Sequence, residues 1–116
     1  MGRRSRRRGA EQLAAPESPY EDGEGNVLVL RGAMTPATRA EYAKVRAGGL
    51  NQEDAWQRSV EFLFERLAVR WEIAGLPLEG QKELLGRYRM ASAEERVRVR
   101  SALAEHLGER YPEIEL

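Results

Sequence analysis

The chain of 116 residues has no cysteine, a single histidine and only eight aromatic side chains. The first absence removes disulfides, thiolate metal sites and cysteine nucleophiles together. A lone imidazole, His106, cannot build a histidine-rich metal site, and Glu105 and Glu109 beside it read as ordinary charged-face residues. His106 is therefore expected to be structural or solvated. Glu61 and Glu65 lie four apart, as the carboxylates of a helical metal site would, but no second Glu-x-x-His accompanies them. They are expected to pair with Arg58 or Arg66 at the surface. The segment LPLEGQKELLG holds glycines and a lysine at spacings that do not match a phosphate-binding Gly-x-x-x-x-Gly-Lys-Ser/Thr loop. No convergent acid, base or metal set emerges, so neither an enzyme nor a metal or other cofactor is expected.

Long apolar runs are missing too. Nothing approaches the roughly 18 residues of a membrane span, and the early arginines are not followed by the apolar stretch of a cleaved signal. Arg6 stands where a myristoylation pattern requires Ser or Thr. The expectation is a cytoplasmic protein with no membrane partner. There is no internal repeat.

Charge is present but unevenly placed. The formal balance is 19 basic against 19 acidic side chains, yet five arginines fall within the first eight residues, leaving 14 basic against 19 acidic in residues 9 to 116. Arg3, Arg4, Arg6, Arg7 and Arg8 have two readings, a solubilising tail or an electrostatic contact to nucleic acid or an acidic protein surface. Residues 1–25 offer almost no apolar anchor against the entropy of ordering, and read as a disordered arm. Residues 26–116 read as the folded domain.

Within that domain the expected class is mainly α: a small four-helix domain around one long central helix, with a short N-terminal β-strand. Val27 to Leu30, flanked by Gly25 and Gly32, is the strand. Its unpaired edges leave three options: pairing in trans, pairing within the chain, or lying over the helices. Thr35-Pro36 opens a first helix that Gly48-Gly49 ends, docked through Tyr42 and Val45 or through its alanines. Asn51 opens the central helix, which is expected to run to Ala74 and stop at Gly75. Along it Trp56, Val60, Leu63 or Phe64, Leu67 and Trp71 form one stripe, and Phe62, Val69 and Ile73 a second. A helix apolar on two sides requires partners on two sides. Leu76-Pro77-Leu78 makes a turn, residues 79–90 a third helix with Leu84, Leu85 and Tyr88 inward, and Ser92 with Glu95 a capping box for a fourth that Gly108 ends.

Two surface features qualify as partner-binding candidates. Arg96 and Arg100 share a helix face near Arg87, Arg89 and Arg98, either as a docking patch or as a solvated face balanced by Glu94, Glu95 and Glu105. Trp56 and Trp71, with Val60 and Leu67 between them, are either core or a self-association seam.

The helix from Phe62 to Trp71, the Gly75-Leu76-Pro77 turn, the block Leu84-Leu85-Gly86-Arg87-Tyr88, and Glu105-His106-Leu107 running into Pro112-Glu113 carry a resemblance across residues 27–116. The chain resembles the small tail assembly chaperones of long-tailed phages and prophages of high-GC actinobacteria. The resemblance implies a non-enzymatic, mostly helical protein that binds the tape-measure protein during tail morphogenesis, contacts tail-tube subunits and can form a homo-oligomer. It also implies a longer product made by ribosomal frameshifting. The Arg-rich arm departs from it and fits the alternative, a small nucleic-acid-associated adaptor or regulatory protein.

Overall fold

Backbone donors and acceptors of a buried strand must be paired, and the Val27 to Leu30 run finds partners on both sides within its own chain. In the computed structural model, which describes residues 16–48, 50–114 and 116, four strands make one antiparallel sheet in the order β1-β2-β3-β4. They are β1 (Glu17–Glu21), β2 (Val27–Arg31), β3 (Ala68–Ile73) and β4 (Leu76–Glu79). Four helices complete the described fold: α1 (Pro36–Ala47), α2 (Gln52–Leu67), α3 (Gln81–Arg89) and α4 (Ala93–Arg110). The architecture is α+β, which corrects the expectation of a four-helix domain carrying one strand.

The correction has a specific origin. The central helix does not reach Ala74: α2 ends at Leu67, and Ala68 turns extended at φ −69°, ψ 125° while its N–H still bonds Phe64 O. Val69-Arg70-Trp71-Glu72-Ile73 then alternates apolar and charged, the period of a half-buried strand. Val69 and Ile73, and Leu67 and Trp71, are each also four apart, so the same residues satisfy a helical stripe. Backbone pairing decides between the two periods, because β3 sits between β2 and β4. Ala74 and Gly75 form the two-residue turn that follows, at φ +53° and φ +82°, the left-handed pair of a tight hairpin.

The arm is corrected in part as well. Glu17–Glu21 is strand β1, in register from Glu17 opposite Arg31 to Glu21 opposite Val27. Residues 1–15 lie outside the described residues. Gly32 permits the close start of this hairpin: its N–H donates to Pro16 O at 2.6 Å, where a Cβ would collide with that oxygen.

With β1 and β3 on its two sides, β2 has no free edge for pairing in trans. The free edges belong to β1 and β4, and each carries a proline, Pro19 and Pro77. Pro16 O and Asp22 N–H both face β2, so alternation turns Pro19 outward. Ile73 and Leu76 flank the two-residue turn and face each other, so alternation turns Pro77 outward too. Both edges therefore lack an N–H in mid-strand, a known device against edge-to-edge pairing.

One face of the sheet carries the cross-strand row Tyr20, Leu28, Trp71 and Leu78. α4 packs against β2, and α3 against β3 and β4. Phe64 of α2 joins the layers, its ring 5.7 Å from Trp71 and 5.0 Å from Tyr88. Leu30, Leu63, Leu67, Leu84, Leu103 and Leu107 close the core around it. Between β2 and β3 the register shifts so that Val29 faces Arg70 but Leu30 faces Ala68, leaving Val69 as a bulge.

The caps read from sequence are present. Thr35 accepts from Thr38 N–H, Asn51 from Asp54 N–H, and Ser92 with Glu95 closes a reciprocal capping box. Tyr42 is buried and Val45 half-buried on α1. Gly108 does not stop α4, which runs on to Arg110 because Tyr111 N–H still bonds Leu107 O.

Candidate functional site

Tyr20, Leu28 and Trp71 are neighbours across three strands, and α4 crosses the Tyr20–Leu28 side of their row at a distance that leaves a groove. The sheet supplies Tyr20, Glu21, Leu28 and Trp71; the β1–β2 turn supplies Asp22 and Asn26; α4 supplies Glu95, Val97, Arg98, Val99, Ser101, Ala102 and Glu105. The groove encloses about 180 Å³. Its floor is apolar, with Leu28, Trp71, Val99 and Ala102 all buried, whereas Val97 on the wall is 51 % exposed.

The turn that forms one end is held by a carboxylate. Asp22 accepts from Glu24 N–H at 2.8 Å, Asn26 N–H at 3.2 Å and Asn26 Nδ2 at 2.7 Å. Burial opposes ionisation of Asp22, but these hydrogen bonds and the Arg98 charge outweigh it and hold the carboxyl below its ordinary value. Asn26 also accepts from Ala74 N–H at 3.0 Å, tying the β1–β2 turn to the β3–β4 turn. Arg98 reaches Glu24 at 2.9 Å and Asp22 at 3.8 Å, fastening α4 to the hairpin. Glu95 accepts from Ser92 N–H and pairs with Arg87 at 2.6 Å, and both interactions hold its carboxyl down. Arg87 in turn lies over the Trp71 ring at 5.3 Å. Glu21 and Glu105 make no ion pair with any described residue.

Beyond Tyr20 lies His106. It is buried, with Nε2 2.8 Å from Arg31 O and Nδ1 2.8 Å from Tyr20 Oη. A carbonyl only accepts, so Nε2 carries the proton and Nδ1 of the neutral ring accepts from the Tyr20 hydroxyl. Burial pushes the imidazole pKa below its ordinary value, against the Arg31 carbonyl, which raises it. Burial likewise pushes the Tyr20 hydroxyl up, helped by the Glu109 charge. The residue is structural: it joins α4 to both β1 and β2.

The stripe residues singled out in the sequence come together in one core cluster, with Trp56 packed against it. Val60, Leu67 and Trp71 are core, and Trp71 stands on β3 rather than on the helix of the other two. Trp56 is half-buried on α2 with the Arg100 guanidinium 5.0 Å from its ring. Arg96 lies over Tyr88 at 5.7 Å and donates to Arg89 O. The Trp56-to-Trp71 stripe thus joins the core, with its two ends carried by a helix and a strand and not by one helix. Arg3, Arg4, Arg6, Arg7 and Arg8 lie outside the described residues. Glu61 pairs with Arg89 at 2.8 Å and not with Arg58 or Arg66, whereas Glu65 lies 3.9 Å from Arg66, as expected; Arg58 reaches Asp54, and Arg66 also reaches Glu41.

Sequence reasoning missed Glu21, Asp22 and Asn26, which sit in the stretch assigned to the arm and at its boundary. Asp22-Gly23-Glu24-Gly25-Asn26 is nonetheless a turn-rich run just before an apolar strand, which is a hairpin signal. Among the described residues no cluster of three His, Asp or Glu side chains could hold a metal ion, and no helix is long and apolar enough to cross a membrane. No family model, curated protein or solved structure matches this chain.

Proposed function

We propose that the protein is a non-enzymatic tail assembly chaperone that binds the tape-measure protein while a phage or prophage tail is built. The observation that carries this reading is the groove between the sheet and α4, open, apolar-floored and rimmed by carboxylates. A client that is a long, largely helical rod exposes apolar side chains until it is packed into a tail, and transient capture of those side chains is what such a groove can do. The resemblance covers β2, β3 and α4, which line the groove together with β1 and the β1–β2 turn outside it. Tail-tube subunits and a second copy of the chain are the further partners this reading carries, in the cytoplasm of the host cell.

The test is co-expression with the tape-measure protein encoded beside it. The expected result is a client that is soluble and co-elutes only when this chain is present. A client that precipitates regardless, with no co-elution, would remove the assignment.

A further inference from the structure

The groove is smaller than ordinary small-molecule sites and well sized for a side chain. Small-molecule sites enclose about 300–1,000 Å³, whereas this one encloses about 180 Å³, close to the about 150 Å³ of a cavity that accepts one benzene ring. Its chemistry is lopsided in a second way. Of the four carboxylates that line it, Asp22 and Glu95 are committed to Arg98 and Arg87. Glu105 on the α4 wall is exposed and unpaired among the described residues beside the apolar floor, whereas Glu21, next to Tyr20 in β1, alternates to the opposite face of the sheet.

We propose that the groove seats one large apolar side chain of a partner polypeptide, with a Lys or Arg of the same segment reaching Glu105. Buried anchor side chains in tight pockets dominate interface energetics, and flanking charges set which segments are admitted. The floor of Leu28, Trp71, Val99 and Ala102 receives the anchor, and exposed Val97 extends the apolar wall toward the partner backbone. An acidic segment would meet the unpaired Glu105 carboxylate and be disfavoured. The natural identity of the partner rests on the chaperone reading; the existence of the seat does not.

The probe is a short alanine-based helical peptide carrying one Phe, with Lys one turn to either side. It is titrated into the isotope-labelled full chain beside counterparts in which Glu replaces Lys or Ala replaces Phe. The expected result is chemical-shift change centred on Tyr20, Asp22, Val97 and Ser101, at least tenfold weaker for the Ala counterpart and about fourfold weaker for the Glu counterpart, which trades an attraction for a repulsion. An exposed ion pair is worth about a factor of two, so Glu105→Gln should weaken the Lys peptide about twofold. Val97→Asp should weaken it at least tenfold. Both residues are exposed, and an unchanged spectrum of the free variants shows that the fold is intact. Glu105→Lys should reverse the preference toward the Glu peptide.

Shifts centred instead on Trp56, Arg96 and Arg100, equal binding of Lys and Glu peptides, or no binding at all would overturn the proposal. So would binding that appears only after Arg3, Arg4, Arg6, Arg7 and Arg8 are replaced by Ser, which would give the groove to the chain's own N-terminal segment. The two readings fail separately. A wild-type chain that binds the peptide but leaves the tape-measure protein insoluble keeps the seat and loses the chaperone; a wild-type chain that solubilises the client but does not bind the peptide does the reverse.

Discussion

His106 shows how a lone residue read as structural acquires a measurable signature. Its folded pKa is depressed by burial from an ordinary 6.5, so between the two values the unfolded chain binds a proton that the folded chain does not. Stability is then complete above pH 6.5 and declines as pH falls below it. Asp22 and Glu95, whose folded pKa values are lowered from 3.8 and 4.5, add their loss only at more acidic pH. Urea melts should show wild type weakening between pH 7 and 5, with the slope in that window removed in His106→Gln. The substitution itself should cost about 1–3 kcal/mol at pH 7, since Arg31 O and Tyr20 Oη lose a buried partner. A second residue, Ala74, holds φ +53° without being glycine, a conformation that costs an L-residue about 1–2 kcal/mol. Ala74→Asn creates the Asn-Gly pair preferred in this turn, and should raise stability by about 0.5–1 kcal/mol in the same melts. The two tryptophans separate cleanly at this scale. Trp71, only 5 % exposed, should cost about 3–5 kcal/mol when truncated to Ala, whereas half-buried Trp56 under Arg100 should cost about 1–2 kcal/mol.

At the scale of elements, legibility followed punctuation. α1, α2 and α4 begin where Thr35, Asn51 and Ser92 can cap them, and those starts were readable because the cap residue acts through local hydrogen bonds. The α2-to-β3 change was not, because no Gly or Pro marks it and Leu67, Val69, Trp71 and Ile73 fit both periods. Which period wins is settled by β2 and β4, partners remote in sequence or joined by a turn. β1 was missed for another reason: an edge strand with one neighbour needs little apolar character, and in Glu17–Glu21 only Tyr20 reaches the core. The groove's α4 wall was legible as residues, its sheet wall was not, so the site itself could not be read. The same edges give a prediction. With Pro19 and Pro77 turned outward, neither edge offers an unbroken row of donors. Replacing both with Thr restores the missing N–H groups, and sedimentation should then report concentration-dependent association beyond that of wild type. A variant that associates no more than wild type would mean that the charges of Glu17, Glu21 and Glu79 suffice to protect the edges.

Over the whole molecule, sheet and helices share one core, because the ring of Phe64 touches Trp71 of β3 and Tyr88 of α3 together. Its own helix also buries Val60, Leu63 and Leu67 against the same cluster. A chain of this size has a total stability of about 5–15 kcal/mol, and removing a buried Phe ring costs about 3–5 kcal/mol through lost transfer energy and the cavity left behind. Phe64→Ala should therefore forfeit a large share of the margin and lower the melting temperature by well over 10 °C, at about 4–8 °C per kcal/mol for a domain near this length. The shape of the melt tests the architecture more than its position. If one core serves both layers, helix loss followed by far-ultraviolet dichroism and Trp71 exposure followed by fluorescence in a Trp56→Phe background must coincide, in wild type and in Phe64→Ala alike. Were the sheet and the helices to hold separate cores, Phe64→Ala would melt the helical signal first and leave Trp71 shielded. The groove depends on the same coupling, because its two walls belong to the sheet and to α4, and both layers meet in that one core.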